Sequence, residues 1–295
     1  MTLQESPSFP DSSWRCPGGD DRTAPPLAER RPGGLRGARP VKKLNSARSF
    51  DKPGERGAAL VGNNGGLQME EDITAALNQT ASRDWKARCQ GLKAVEGLFA
   101  RGQEVQNNQV VRVFDQLTNR LTDGNSKVVI QSLTTISSVL HMEDVKDRSG
   151  MYLNTLVPAL AQVLGSTNEK IRGMAHTTVD TLCREIDNTL LIQNMAHCTS
   201  QGGVRGKPAM LEKLNAVALD VYPRKPQLVT RHVLPAVLAI VNEKSSEIRA
   251  ASSKVLCTLA YMMGPQFYDY TGKLPSHTQK RVRDMLGSNS LRAPF

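Results

Sequence analysis

Apolar side chains recur at three- and four-residue spacing in one segment after another from Met69 onward. Between residues 105 and 122, for example, Val110, Val113 and Leu117 fall on one face of a helix. This spacing is typical of amphipathic helices, and the two-residue alternation of a half-buried strand persists nowhere. The pattern therefore predicts that the ordered part of the chain is all-α.

The predicted helices come in pairs, because short polar breaks such as 123–125 and 165–168 separate consecutive apolar segments. The clearest predicted helices cover about residues 105–122, 151–165, 168–186, 226–242, 246–263, 265–271 and 275–287. Acidic residues at 70–72 favour the start of the first helix there. Pro158 and Pro235 occupy matching places in the first helices of two pairs, so we expect a kink at each.

A polar turn with a charged residue precedes the second helix of each pair. If Lys86, Lys127, Lys170, Lys207 and Glu247 are equivalent positions, successive turns are 41, 43, 37 and 40 residues apart. A period of roughly 40 residues is that of two-helix HEAT repeats, which stack into an α-solenoid. The sequence thus predicts one HEAT-repeat domain over residues 67–290, with about six repeats.

Residues 1–66 differ from this domain in composition. They are rich in Pro, Gly, Ser and Arg and show no sustained apolar periodicity, which predicts a disordered basic tail. A cluster of Lys, Arg and Ser at 42–49 offers a phosphorylation site or an auxiliary electrostatic contact, although a solvated linker is the simpler interpretation.

The chain is basic in both parts. Its formal net charge is +10, with 11 Lys and Arg against 7 Asp and Glu in residues 1–66, and 27 against 21 in the remainder. This excess favours an acidic partner: nucleic acid, an anionic membrane or an acidic protein surface. Aromatic residues are only 4% of the chain, which disfavours single-stranded nucleic acid, whose bases need stacking platforms. No stretch reaches the roughly 18 apolar residues of a membrane span, so no membrane partner is expected.

Motifs for catalysis, metals or cofactors are weak or incomplete. Residues 202–207 imitate a phosphate-binding loop, but its first glycine is one residue too close and Pro208 replaces the magnesium-binding Ser or Thr. His141 and Glu143 match half of a zinc-deaminase motif whose Pro-Cys-x-x-Cys half is absent. The five cysteines form no CxxC and favour free thiols in a reduced, cytoplasmic compartment. We therefore predict a binding protein and not an enzyme, with no cofactor and no metal site.

Stacking of helix pairs places the equivalent turns side by side along one edge of a solenoid. In this chain the edge would carry several cations and Trp85, one of only two tryptophans. A Trp in a turn either closes the end of the core or serves as an exposed anchor at an interface, where Trp and Arg are enriched. The charged neighbours Arg83, Lys86 and Arg88 favour the anchor.

Three of the turns resemble the loop motifs of the TOG domain, the tubulin-binding HEAT array of the XMAP215, CLASP and crescerin proteins. Residues 82–92 are similar to the first-loop motif, in which a Trp is followed by basic residues and a helix of small and apolar residues. Residues 125–129 and 168–172 are similar to the second and third loop motifs. Over residues 70–287 the chain is most similar to the crescerin branch, the TOG array regulators of axonemal microtubules.

The resemblance implies a flat array of six HEAT repeats whose loop edge binds αβ-tubulin without catalysis and so regulates microtubule dynamics or organisation. It assigns tubulin contacts to nine residues: Trp85, Lys86, Lys127, Val128, Lys170, Arg172, Lys207, Lys244 and Arg249. It also implies a cytoskeletal location, which the similarity to crescerin extends to the cilium or axoneme.

The last two loops depart from the family pattern. The order Gly206-Lys207-Pro208 replaces the more usual Asn-Pro-Lys, and Glu247 stands where a basic residue is expected. Lys244 and Arg249 offer partial compensation. In the family arrangement the first loops face β-tubulin and the last two face α-tubulin, so the resemblance supports the β-tubulin contact better.

Three other interpretations are open at this stage. A generic HEAT-repeat scaffold or adaptor would bind partners through its concave helical face and not through its turns. A nucleic-acid binder would use the basic surface and show steep salt dependence. A degenerate TOG domain would keep the fold without binding tubulin, and the altered fourth and fifth turns are compatible with it. The oligomeric state does not follow from the sequence.

Overall fold

The computed structural model describes residues 64–102 and 105–287 of the chain. Within these ranges every regular element is helical and no strand occurs, which confirms the predicted all-α class. The predicted tail at 1–66 and its cluster at 42–49 lie outside the described residues, except for the last three tail positions. The first helix already begins in those positions, at Asn64.

The described helices form six consecutive pairs, as the period of roughly 40 residues predicts. The first helices of the pairs are α1 (Asn64–Thr80), α3 (Asn107–Arg120), α6 (Leu153–Leu164), α8 (Asn188–Gln201), a composite fifth segment and α13 (Pro265–Thr271). The fifth segment consists of α10 (Pro226–Leu228), a π-helical turn (Val229–Val233) and α11 (Leu234–Ile240). The second helices are α2 (Trp85–Ala100), α4 (Ser126–Val139), α7 (Glu169–Glu185), α9 (Lys207–Val221), α12 (Ser246–Met263) and α14 (Ser276–Gly287). A short helix, α5 (Glu143–Asp147), lies between the second and third pairs.

The pairs stack as two layers. In one layer α1 contacts α3, α3 contacts α6, α6 contacts α8, and α8 contacts α11. In the other layer α2 contacts α4, α4 contacts α7, α7 contacts α9, α9 contacts α12, and α12 contacts α14. This nearest-neighbour packing is that of a HEAT-type solenoid and confirms the predicted architecture. No helix in the described ranges is both long enough and apolar enough to cross a bilayer.

The core between the layers is mostly aliphatic, with one aromatic stack near the second pair. The apolar face of α3 predicted from the sequence is buried. The ring of Phe114 stacks on that of Tyr152 with 3.7 Å between centroids. The buried Tyr152 hydroxyl donates a hydrogen bond to the Val145 carbonyl at 3.2 Å, which satisfies its polar group. This stack joins the connection after α5 to the core.

The expected start of the first helix at residues 70–72 is wrong. Because α1 begins at Asn64, these acids lie inside the helix and not in its first turn. Two of the three carboxylates pair with residues outside α1: Glu70 with Arg112 of α3, and Asp72 with Arg101, which follows α2, at 3.3 Å. Charge complementarity with neighbouring elements therefore accounts for Glu70 and Asp72.

The two prolines differ in their surroundings. Pro235 is the second residue of α11, which follows the π-helical turn, so the regular α-helical ladder is interrupted on its N-terminal side. Pro158 lies inside the continuous helix α6. The π-helical turn is consistent with the effect expected of a missing backbone donor at Pro235.

Candidate functional site

The turns inside the helix pairs adjoin one another along one edge of the solenoid, which we call the loop edge. Its first five loops comprise residues 81–84, 121–125, 165–168, 202–206 and 241–245. Arg88, just after the first loop, pairs with Asp123 of the second, and Lys207, just after the fourth, pairs with Glu243 of the fifth. Residues of the second and third loops line one shallow pocket, and the third and fourth approach closely at Gly165. The predicted row of turns therefore exists.

The first three loops share one hydrogen-bonding pattern at the start of the following helix. The side chain of the N-cap residue accepts a hydrogen bond from the backbone N–H of a lysine two positions later. The three bonds are Lys86 to Asp84 at 3.1 Å, Lys127 to Asn125 at 2.9 Å and Lys170 to Asn168 at 3.0 Å. Asp and Asn are strong N-caps, so local chemistry sets each lysine at the same place in the first helical turn.

A second bond stiffens each of these loops. The residue two positions before the cap accepts a hydrogen bond from the N–H of the cap residue itself. Ser82, Asp123 and Ser166 have this role, at 3.2, 2.9 and 3.2 Å. Since the pattern is repeated in three successive pairs, the first three loops present their lysines in equivalent geometry.

These three lysines are exposed and lie where the helix dipole disfavours a positive charge. Lys86, Lys127 and Lys170 each lie in the first turn of a helix, at the positive end of its dipole. A cation there is disfavoured by about 0.3–1 kcal/mol, whereas an acidic ligand would be favoured. Residues that break a local rule in this way are expected at functional sites. The row is therefore the strongest candidate site for an acidic partner.

Trp85, the first residue of α2, contacts both the core and the basic row. Its side chain is partly buried and packs against the hydrophobic core. The Lys127 ammonium lies 4.5 Å from the centroid of its ring, and that of Lys86 lies 6.0 Å away. Both distances are within the range of cation–π attraction. The indole thus lies at the boundary between the core and the basic row.

The ion pair between Arg88 and Asp123 is the main feature that the sequence interpretation missed. The Arg88 Nη2 donates to Asp123 Oδ1 at 3.0 Å, and Nε lies 2.9 Å from Oδ2. The two side chains are only 14% and 5% exposed, so the pair is largely shielded from water. The Nη1 atom also donates to the carbonyls of Ser82 and Arg83. One guanidinium therefore holds the first loop to the second.

Arg172 repeats part of this arrangement in the third loop. Its Nη1 donates to the Ser166 carbonyl at 2.9 Å, as Arg88 does to the Ser82 carbonyl at the same distance. Arg172 is half-buried and thus stabilises its own loop. Its predicted role as a tubulin contact is shared with this structural one.

Val128 is placed in the core, which corrects its assignment as a contact residue. Its side chain is completely buried. The equivalent residue after the third loop, Ile171, is also buried, whereas Ala87 after the first loop is only partly buried. In α4 and α7 the buried apolar residues begin at this third helical position. The side chain of Val128 is therefore not available to a partner.

Lys207 also needs correction, because it is not equivalent to the other three lysines. It is the first residue of α9 after the cap Gly206 and is only 6% exposed. Its Nζ atom lies 2.7 Å from Glu243 Oε1. The fourth loop packs so closely that a Cβ atom on Gly206 would lie 2.5 Å from the Ala161 carbonyl oxygen. This packing buries Lys207 in an internal ion pair and removes it from the exposed row.

The fifth loop carries mixed charge. Ser245 caps α12 by accepting a hydrogen bond from the Ile248 N–H at 3.4 Å. Lys244 and Arg249 are exposed, as a contact role requires. Glu247, also exposed, occupies the helical position that holds lysine after the first three loops. The exposed cationic row is therefore continuous only over the first three pairs.

Apart from the exposed lysine row, the described residues include a cleft and a few groups with shifted pKa values. A cleft of about 610 Å³ lies between α6, α8 and the fourth loop and is lined in part by His197 and Cys198. Burial raises the pKa of the Cys198 thiol to about 11, so it is protonated at neutral pH. Burial likewise lowers the pKa of His176. Over residues 64–102 and 105–287, no group of three or more His, Cys, Asp or Glu side chains is arranged to hold a metal ion.

Comparison with known sequences finds similarity to microtubule regulators. No family model matches the chain. It is 28% identical over 226 residues to TOG array regulator of axonemal microtubules protein 1 of Mus musculus, covering 72% of this chain and 12% of that protein. It is 26% identical over 227 residues to CLIP-associating protein 1 of Xenopus tropicalis, covering 75% of this chain and 16% of that protein. The chain therefore matches a small part of each relative's length.

Solved TOG domains share the fold. The TOG domain of Zyg9 from C. elegans superposes with a TM-score of 0.60 at 15% identity, covering 77% of this chain and 88% of that domain. A structure of crescerin, described as using a TOG domain array to regulate microtubules in the primary cilium, gives a TM-score of 0.58 at 15% identity, covering 76% and 92%. The comparisons confirm the HEAT-repeat α-solenoid and the resemblance to crescerin and CLASP that the loop motifs indicated.

Proposed function

We propose that the chain binds αβ-tubulin through its loop edge, without catalysis, and thereby regulates the dynamics or organisation of microtubules. The observation that carries this proposal is the exposed row formed by Lys86, Lys127 and Lys170, with Trp85 at its end. The names of the similar proteins, which refer to axonemal microtubules and to CLIP association, support it.

The geometry of the row suits an acidic protein surface. Neighbouring packed helices are about 8–10 Å apart, so three lysines on successive second helices span about 16–20 Å. This length fits within an interface of standard size, which buries roughly 800 Å² on each partner. Exposed lysines at such a surface act mainly through the association rate and the salt dependence. The same row would attract nucleic acid, but the described edge offers only Trp85, half-buried, as a stacking surface.

The contact is concentrated in the first three loops. The fourth loop directs its lysine into the ion pair between Lys207 and Glu243, and the fifth places Glu247 in the equivalent of a lysine position. In the arrangement that the resemblance implies, the first loops face β-tubulin. We therefore assign the main contact to β-tubulin and a weaker one, through Lys244 and Arg249, to α-tubulin.

The effect on microtubules would arise from binding alone. A domain that binds curved tubulin more tightly than straight lattice tubulin shifts that equilibrium by no more than its differential affinity. Linked domains gain further through effective concentration. Residues 64–287 hold one such domain, so a strong effect on growth would require a second copy or a tether. Together with the similarity to crescerin, this suggests action at cytoskeletal sites that include the cilium.

The test is to mix the full chain with unpolymerised αβ-tubulin and to detect the complex by gel filtration at moderate salt. Three variants are compared with the wild type: Trp85→Ala with Lys127→Ala, the triple change of the row lysines to Met, and a control triple change of Lys225, Lys254 and Lys280 to Met. The control removes the same charge from exposed positions away from the row. We expect the complex to be lost in the first two variants and kept in the control. No complex with the wild type would contradict the proposal.

A further inference from the structure

We infer that Trp85 acts in binding by holding the Lys127 ammonium in place, and that the ion pair between Arg88 and Asp123 fixes the two loops as one recognition unit. The inference rests on the proposed function for its binding consequence, whereas the coupling of the loops is a property of the chain alone. It assigns positioning roles to Trp85, Arg88 and Asp123, and the direct contact to Lys127.

The indole is not presented as a free anchor. Its side chain is half-buried and packs against the core, and the exposed Lys127 places its ammonium 4.5 Å from the ring centroid. The ring is therefore in contact with both the core and an ammonium group of the second pair. Lys170 lacks such support, because Ser126 occupies the position in the second pair that Trp85 occupies in the first. Among the three row lysines, Lys127 is the one whose position is restricted by an aromatic ring from a different helix pair.

A chain of bonds connects the two loops to this lysine. Asp123 pairs with Arg88, and its Oδ1 accepts from the Asn125 N–H at 2.9 Å. The Asn125 side chain in turn accepts from the Lys127 N–H at 2.9 Å. Arg120 lies 3.3 Å from the same carboxylate, so two arginines pair with Asp123.

The other end of this chain reaches the turn before Trp85. Arg88 donates to the carbonyls of Ser82 and Arg83, at 2.9 and 2.8 Å. A largely buried carboxylate with these partners has one favoured position, because each lost partner would leave a buried charge incompletely satisfied. The relative placement of Trp85 and Lys127 is therefore set by Arg88 and Asp123. The partner group that matches a fixed, exposed ammonium is a carboxylate.

The loop coupling is tested by fluorescence of the full chain carrying Trp14→Phe, which leaves Trp85 as its single tryptophan. We expect Lys127→Met to shift the emission maximum or the quenching by iodide, because it removes the ammonium beside the ring. Asp123→Asn should shift the same signal in the same direction. Asp72→Asn removes an ion pair of α1 with Arg101, away from the loop edge, and should leave the signal unchanged.

Circular dichroism shows whether Asp123→Asn folds. If it does not, Arg88→Gln takes its place, because that variant leaves Asp123 its bonds to Arg120 and to the Asn125 N–H. An unchanged Trp85 signal in Lys127→Met, or in the folded loop variant, would overturn the coupling whether or not the chain binds tubulin.

The binding role is tested by a double-mutant cycle with Trp85→Leu and Lys127→Met, measured as affinity for αβ-tubulin. If Trp85 acts through Lys127, Trp85→Leu should weaken wild-type binding by about 2- to 5-fold, the range of an exposed cation–π contact. It should have almost no further effect in the Lys127→Met background. If the double variant instead loses affinity by the product of the two single-variant factors, the ring contacts tubulin independently of Lys127. That result would overturn the positioning role. Absence of wild-type binding would overturn the proposed function, with the fluorescence result still deciding the coupling.

Discussion

Replacing Lys207 by Met should lower the stability of the domain and leave its affinity for tubulin almost unchanged. The Lys207 side chain is 7% exposed, and its ammonium lies 2.7 Å from the carboxylate of Glu243, which is 31% exposed. The substitution keeps the apolar stem and removes the charge. It therefore leaves Glu243 without its partner.

The magnitude follows from this burial. Removing one member of a fully buried ion pair costs about 3–5 kcal/mol, whereas an exposed pair is worth about 0–1 kcal/mol. Because water still reaches about a third of Glu243, we expect a loss of about 1–2 kcal/mol in the free energy of unfolding. In a domain of 150–250 residues this lowers Tm by about 2–8 °C. Lys127→Met, at an exposed position, should change the free energy of unfolding by less than about 0.5 kcal/mol.

The assay combines calorimetry with tubulin affinity for these two variants. We expect Lys207→Met to lose stability but keep its affinity for tubulin, and Lys127→Met to lose affinity but keep its stability. Adding Glu243→Gln to Lys207→Met should recover part of the stability, because it removes the unpaired charge. A Lys207→Met protein with unchanged Tm and an affinity as low as that of Lys127→Met would refute the reasoning and return Lys207 to the exposed row.

Further predictions concern packing and titration. Gly206→Ala should lower the free energy of unfolding, measured in urea, by about 1–3 kcal/mol, because the new Cβ would meet a backbone carbonyl of α6. Gly97→Ala, at a position on α2 with open space around it, should raise the free energy of unfolding by about 0.5–1 kcal/mol. Cys198, whose pKa burial raises to about 11, should react with iodoacetamide at pH 8 more slowly than a model thiol peptide, as measured by mass spectrometry, and faster once urea unfolds the chain. The hydrogen bond from Lys146 lowers the pKa of Glu185, so its stabilising effect is complete above the unfolded pKa and is lost as pH falls through the lower folded value. Glu185→Gln should therefore make Tm less dependent on pH in the acid range.

The helical fold could be predicted from the sequence because its determinants are local. Apolar spacing gives the helices, and polar breaks such as 123–125 and 165–168 give the pairs. The start of α1 could not be placed, because Glu70 and Asp72 have two physical uses. Acids suit a first helical turn, and they equally suit pairing with cations outside α1, which is how the structure uses them.

The candidate site was predictable where cap chemistry repeats and not where packing intervenes. The exposed positions of Lys86, Lys127 and Lys170 follow from an Asp or Asn cap two residues earlier. The burial of Lys207 depends on the approach of the fourth loop to α6, which periodicity does not encode.

The inward orientation of Val128 was available in principle, since small or apolar residues stand at the same helical position as it after the first and third loops. The ion pair between Arg88 and Asp123 joins residues in different repeats. The only sequence signal for this pair was the presence of a positive residue near the first loop and a negative residue in the second.

Zero-length cross-linking of the full chain with αβ-tubulin tests the central claim most directly. A carbodiimide couples lysine amines to carboxylates in contact, and mass spectrometry identifies the lysines involved. We predict cross-links to tubulin from Lys86, Lys127 and Lys170, with Lys207 joined only to Glu243 within the chain. Cross-links to tubulin that arise mainly from Lys225, Lys254 or Lys280, with the row unmodified, would contradict the assignment of the loop edge as the binding surface.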